Sequence, residues 1–230
     1  MKTLLISMLA CGIALAQTPP APKTAAPPAK KAMPVAAPDL LKPSTLKARA
    51  PEAYKVKFTT TKGDVIILVT RSWAPIGADR FYNLVKNGFY KDAAFFRIIP
   101  GFVAQFGIPA RPEVAAAWDH AYLVDDKVTQ TNKRGTLTFA TAGANTRTTQ
   151  IFINYGDNAR LDTQGFAPFG EVIDGMDIAD KFFAGYGESP DQGRITAFGK
   201  GYLDKSFPNL DRIVTATVMP ADAAATETKK

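Results

Sequence analysis

Phe95-Phe96-Arg97-Ile98-Ile99-Pro100-Gly101-Phe102-Val103-Ala104-Gln105 is the stretch from which the fold can be read. It is apolar and strand-like, yet an arginine sits inside it, followed by an aromatic at Phe102 and an amide at Gln105. Side chains alternate between two faces along a strand. Pro100-Gly101 breaks the run and turns the chain. Two short strands joined by that turn would present one fixed cation, one amide and one ring together. A polar pair beside an apolar patch is the usual make-up of a small binding pocket. The same run also fits a core strand whose arginine reaches back to water.

Strand signals continue on both sides. Upstream, Val56, Phe58 and Thr60 alternate with polar residues, Lys62-Gly63 turns the chain, and Val65-Ile66-Ile67-Leu68-Val69 returns, which is a hairpin pattern. A helix is expected over 75–87, where Phe81, Leu84 and Val85 share one face and Gly88 supplies a stop. Downstream, 136–141, 150–154, 169–173 and 213–218 read as further strands and 176–183 as a short second helix. Glycine and proline make 185–211 read mostly as loop. Many short strands with two helices predict a mainly β fold, a closed antiparallel β-barrel.

Composition narrows the chemistry. The chain of 230 residues has room for one substantial domain with extensions. Its net charge of +7 is concentrated before residue 51, where seven basic residues face Asp39 alone. The folded part is then nearly balanced, and no nucleic-acid partner is expected. Cys11 and His120 are the sole cysteine and histidine. They permit no intramolecular disulfide and no multi-histidine or multi-cysteine metal cluster. No Gly-x-Ser-x-Gly turn accompanies His120, which reads as a plain loop residue. No cofactor or metal is expected.

Residues 1–16 read as a secretory signal peptide: Lys2, then an apolar core too short to span a bilayer, then Ala14-Leu15-Ala16 before Gln17. A lipoprotein box ending at Cys11 is the weaker fit. Residues 17–53, rich in proline, alanine and lysine, are expected to be a disordered, extended linker. A domain is expected over 54–219 and a disordered tail over 220–230.

Phe96-Arg97-Ile98-Ile99-Pro100-Gly101-Phe102 with Gln105 resembles the signature of the cyclophilins, the peptidyl-prolyl isomerase family. Two later blocks extend the resemblance: 135–146 with Gln150-Ile151-Phe152-Ile153-Asn154, and Leu161-Asp162 with Phe169-Gly170-Glu171. It covers roughly residues 54 to 219. The resemblance implies eight strands in a closed barrel with a helix capping each end. It implies isomerisation of X–Pro bonds, with Arg97, Phe102 and Gln105 catalytic. Phe102, Phe139, Phe152 and Leu161 would wall the proline ring, Ala140 and Thr141 would pair with the peptide backbone, and Gln150 would line the adjoining groove. Phe166 also falls among the substrate-binding positions.

This chain departs from better-known members at several places. Arg160 stands where a tryptophan is common, Phe166 where a histidine is, Thr141 where an asparagine is, and Phe106 where a glycine follows the glutamine. The expected activity is X–Pro isomerisation during folding of exported proteins, by a monomer in the periplasm or outside the cell. Its partners would be proline-containing peptides and unfolded exported proteins, with no stable membrane insertion. The alternative is a chaperone module that grips proline segments with little turnover.

Overall fold

Residues 38–219 are described by the structure, a computed structural model. β1 (Ala53–Thr60) and β2 (Gly63–Thr70) form an antiparallel hairpin with Thr60 opposite Gly63. Period-two alternation puts Tyr54, Val56 and Phe58 inside with Val65, Ile67 and Val69. The chain continues through β3 (Arg97–Ile99), β4 (Val103–Phe106), β5 (Thr136–Phe139), β6 (Ile151–Asn154), β7 (Pro168–Asp174) and β8 (Ile213–Met219). All eight belong to one antiparallel sheet in the order β3-β4-β6-β5-β7-β2-β1-β8. The core beneath it is aromatic: Phe58 and Phe106 meet edge to face at 5.6 Å, and Phe81 lies 5.1 Å from Phe169.

The closed barrel expected from sequence is corrected to a half-barrel. The edge strands β3 and β8 share no ladder. Residues just before β3 meet the start of β8 at a single bridge, Ala94 to Arg212, beside a 2.9 Å bond from the Phe95 amide to the Asp211 carbonyl. With three residues, β3 is too short to carry a closing ladder.

Among the described residues four α-helices, rather than two, accompany the sheet: α1 (Pro75–Lys86), α2 (Pro112–Trp118), α3 (Met176–Ala179) and α4 (Gln192–Ser206). Pro75 opens α1, where its missing amide costs nothing, and α1 buries Phe81, Leu84 and Val85. α3 is a single turn, shorter than the 176–183 expected. α4 replaces much of the expected loop. Asp191 caps it by accepting from the Arg194 amide at 2.7 Å. Gly199 kinks it at φ 55, ψ −141. A Cβ there would lie 2.2 Å from the Ala110 carbonyl oxygen, so only glycine lets α4 close on the start of α2.

The N-terminal boundary also moves. Residues 38–53 were expected in the disordered linker, but the segment over 38–51 is docked on the domain. Two 3-10 turns, Pro38–Leu41 and Pro43–Thr45, each begin at a proline. Leu40 is 2% exposed within the main core. Its carbonyl accepts from the Trp118 indole at 2.8 Å. The Asn83 amide brackets the Ala48 backbone at 2.7 and 3.2 Å, and the Ala50 amide donates to Asp79 at 2.8 Å. Proline here sets turns; it does not keep the segment extended. The expected signal peptide, the rest of the linker and the tail over 220–230 lie outside the described residues. No helix of the described residues is long and apolar enough to cross a membrane.

Candidate active site

The β3–β4 hairpin fixes the Arg97–Gln105 pair. Pro100 and Gly101 occupy the centre of its turn, with Gly101 at φ 72 and the Phe102 amide donating to the Ile99 carbonyl at 2.9 Å. That turn sets the register so that Arg97 lies directly opposite Gln105, and Gln105 in turn lies opposite Phe152 on β6. Directly opposed residues share a face, so cation, amide and ring form a row across three strands. The Arg97 Nη1 donates to Gln105 Oε1 at 3.4 Å, and Gln105 Nε2 donates to Gln150 Oε1 at 2.8 Å. Gln105 is buried and acts as the relay between Arg97 and Gln150.

An apolar cluster lies on the same side. Val103, Phe152 and Leu161 form a small buried cluster against which Phe102, Ala140 and Phe166 pack. Phe152 and Phe166 meet edge to face at 5.7 Å. Leu161 belongs to a 3-10 turn, Ala159–Gln164, which ends at Gly165 in the left-handed region. A partly buried polar network carries that turn. Asp162 Oδ1 accepts from the Asn132 amide at 2.9 Å and from its side chain at 2.7 Å. Asn132 Nδ2 also donates to the Phe166 carbonyl at 2.8 Å. Burial pushes the Asp162 carboxyl up, but the bonds from Thr131 and Asn132 outweigh it and hold the group below the usual carboxylate range. The Phe102 carbonyl accepts from the Tyr155 amide at 2.8 Å and from Asn158 Nδ2 at 2.9 Å, which holds the backbone that carries the ring beside the cluster.

A cavity of about 370 Å³ adjoins the relay and is lined by Gln105, Ala140, Thr141, Gln150, Tyr122 and Gln192, among others. The Ala140 amide donates to the Gln150 carbonyl at 2.9 Å, which ties the end of β5 to the start of β6. Arg80 on α1 donates to the Ala121 and Thr148 carbonyls at 2.8 and 3.0 Å, bracing the wall, and burial pulls its pKa down to about 10.

Of the residues singled out from sequence, Phe102, Phe152, Leu161 and Phe166 gather in the apolar cluster, Gln105, Ala140, Thr141 and Gln150 line the cavity beside it, and Arg97 joins the two through Gln105 and the Phe102 ring. Phe139 belongs to neither. It follows Thr138 by one position, so it points to the opposite face of β5. There it is 3% exposed in the main core, 5.1 Å from Phe169. Its expected place in the proline pocket is corrected to a core position beneath it. Glu188 and Gln192 are among the residues that escaped the sequence reading. Glu188 reaches in from the loop after α3 and accepts from Arg97 Nε at 2.6 Å. Gln192, at the start of α4, lines the cavity beside Gln105. The sequence signal for the latter was the helix cap at Asp191; none marked Glu188.

The half-barrel thus presents an arginine–glutamine pair beside an aromatic cluster. Residues 55–200 match the family model described as cyclophilin type peptidyl-prolyl cis-trans isomerase/CLD. Peptidyl-prolyl cis-trans isomerase B of Escherichia coli is 34% identical over 174 residues, which cover 71% of this chain and 98% of that protein. Peptidyl-prolyl cis-trans isomerase A of Dickeya dadantii is 35% identical over 131 residues, covering 55% of this chain and 69% of that protein. A cyclophilin type isomerase of Cryptosporidium parvum shares the fold, with a TM-score of 0.55 at 22% identity over 73% of this chain and 98% of that one. The chain belongs to the cyclophilin-type peptidyl-prolyl cis-trans isomerases.

Proposed function

We propose that this isomerase accelerates X–Pro exchange through Arg97-assisted stabilisation of the twisted amide, and that it acts on exported proteins as they fold. An X–Pro bond resists rotation by about 20 kcal/mol of amide resonance. At the barrier the nitrogen is pyramidal and carries a localised lone pair. A donor aimed at it stabilises the transition state more than either ground state. The carrying observation is the bonding pattern of Arg97. Glu188 holds Nε at 2.6 Å and Gln105 holds Nη1 at 3.4 Å, while Nη2 has no partner among the described residues. The fork is oriented from behind and keeps donors to offer. Its Cζ lies 5.8 Å from the centre of the Phe102 ring, at the mouth of the pocket that would take the proline.

Export rests on the leader read over 1–16. A protease-coupled assay on a short X–Pro peptide tests the activity. Turnover well above the uncatalysed rate supports the reading, and binding without turnover sinks it.

Glu188 acts in this scheme as a positioning residue. Its carboxylate is exposed, and exposed pairs are worth roughly 0.2–1 kcal/mol. Glu188→Ala is expected to lower kcat by about two- to fivefold with KM nearly unchanged. Glu188→Gln, which keeps an acceptor oxygen, should recover most of the loss. A shift confined to KM would contradict the role.

A further inference from the structure

We propose that the site selects proline segments carrying a carboxylate one or two residues from the proline, and that Arg160 is the residue that selects them. The inference rests on reading the Phe102 pocket as the proline site. Three arginines surround its rings. Arg97 lies 5.8 Å from the Phe102 centre, Arg160 lies 4.8 Å from the same ring, and Arg147 lies 5.7 Å from the Phe166 ring. Two of them are neutralised within the chain, Arg97 by Glu188 and Arg147 by Asp125. Arg160 is not: among the described residues its guanidinium has neither a carboxylate nor a hydrogen-bond acceptor.

The acids nearest to it in sequence are committed elsewhere. Asp157 accepts from the Arg134 amide at 3.1 Å. Asp162 is turned inward, with one oxygen on Thr131 and the other on Asn132. The cation is therefore uncompensated while held against the pocket ring. An arginine stacked on an aromatic face loses less freedom when it then meets a carboxylate. The rim already shows that a carboxylate fits beside these guanidinium groups, since Glu188 occupies that place on Arg97.

Reach sets the position of the acid. Successive Cα atoms lie about 3.8 Å apart, and an extended chain advances about 3.3 Å per residue. With the proline ring on Phe102, a neighbour one or two residues away brings an Asp or Glu side chain to Arg160. The guanidinium is exposed, so the preference is modest and sensitive to salt.

The test is a peptide series with Glu, Gln or Lys placed before or after the proline, assayed as kcat/KM at low ionic strength. The unmodified protein should favour Glu over Gln by about two- to fivefold at one or more of these positions, with Lys below Gln. Added salt should compress the ratio. Arg160→Gln should bring the Glu/Gln ratio close to one, and Arg160→Glu should invert it. Because each ratio is taken within one variant, a general loss of stability cancels. Turnover without charge preference, or a preference that survives Arg160→Gln, overturns this proposal alone. No turnover on any peptide overturns the proline-site reading and this proposal with it.

Discussion

Leu40→Ala is expected to lower the melting temperature by about 5–15 °C. Leu40 is 2% exposed, and truncating a buried leucine costs about 2–5 kcal/mol in lost transfer energy and cavity. In a domain of this size about 1 kcal/mol moves Tm by roughly 2–4 °C. Removing residues 17–50 should cost more. It also deletes the 2.8 Å bond from the Trp118 indole, leaving that buried donor without its acceptor, and both contacts to Asn83. A chain starting at residue 38 keeps all of them and serves as the control. Calorimetry on the three proteins decides, and an unchanged Tm for the 17–50 deletion would show the segment to be only loosely attached. Acid should weaken the same attachment. Burial pushes the Asp79 carboxyl up, but bonds from Arg71 and Ala50 outweigh it and hold the group below the ordinary range. A lowered folded pKa means that this contribution is complete above the unfolded aspartate value of about 3.9 and fades as pH falls below it.

What was legible in the sequence were the features set by local chemistry. Pro100-Gly101 encodes the turn, and the turn encodes the pairing of Arg97 with Gln105. All eight strands were marked by short runs bounded by turn residues, with alternation clearest in the first hairpin. Phe139 was misplaced although its parity was available: Thr138 and Phe139 cannot share a face, and Phe152 lies opposite Thr138. α4 was hidden because Gly193, Gly199 and Gly201 look like loop residues. The kink at Gly199 is a packing requirement imposed by Ala110, which lies far away in sequence. The docked segment over 38–51 was hidden for a similar reason, since its value lies in Trp118, Asn83 and Asp79 rather than in its own prolines. Glu188 is 91 residues from Arg97, and no local pattern announces such a pair.

The second large effect concerns Arg97. If its guanidinium stabilises the twisted amide, Arg97→Ala removes a charge-assisted bond in a partly dry site, worth about 1.5–4 kcal/mol, or roughly tenfold to a thousandfold in kcat/KM. Arg97→Lys should recover little, because an ammonium cannot hold Glu188 and Gln105 while offering further planar donors. Peptide affinity should fall far less, since Phe102, Phe152, Leu161 and Phe166 still form the pocket. Exchange NMR on one X–Pro peptide, with the protein near saturation, reads both quantities in a single sample. The account predicts that Arg97→Ala binds the peptide with nearly the original Kd while the cis–trans exchange of bound peptide slows at least tenfold. Undiminished exchange in a correctly folded Arg97→Ala protein would contradict it and return Arg97 to the role of a strand residue reaching for water.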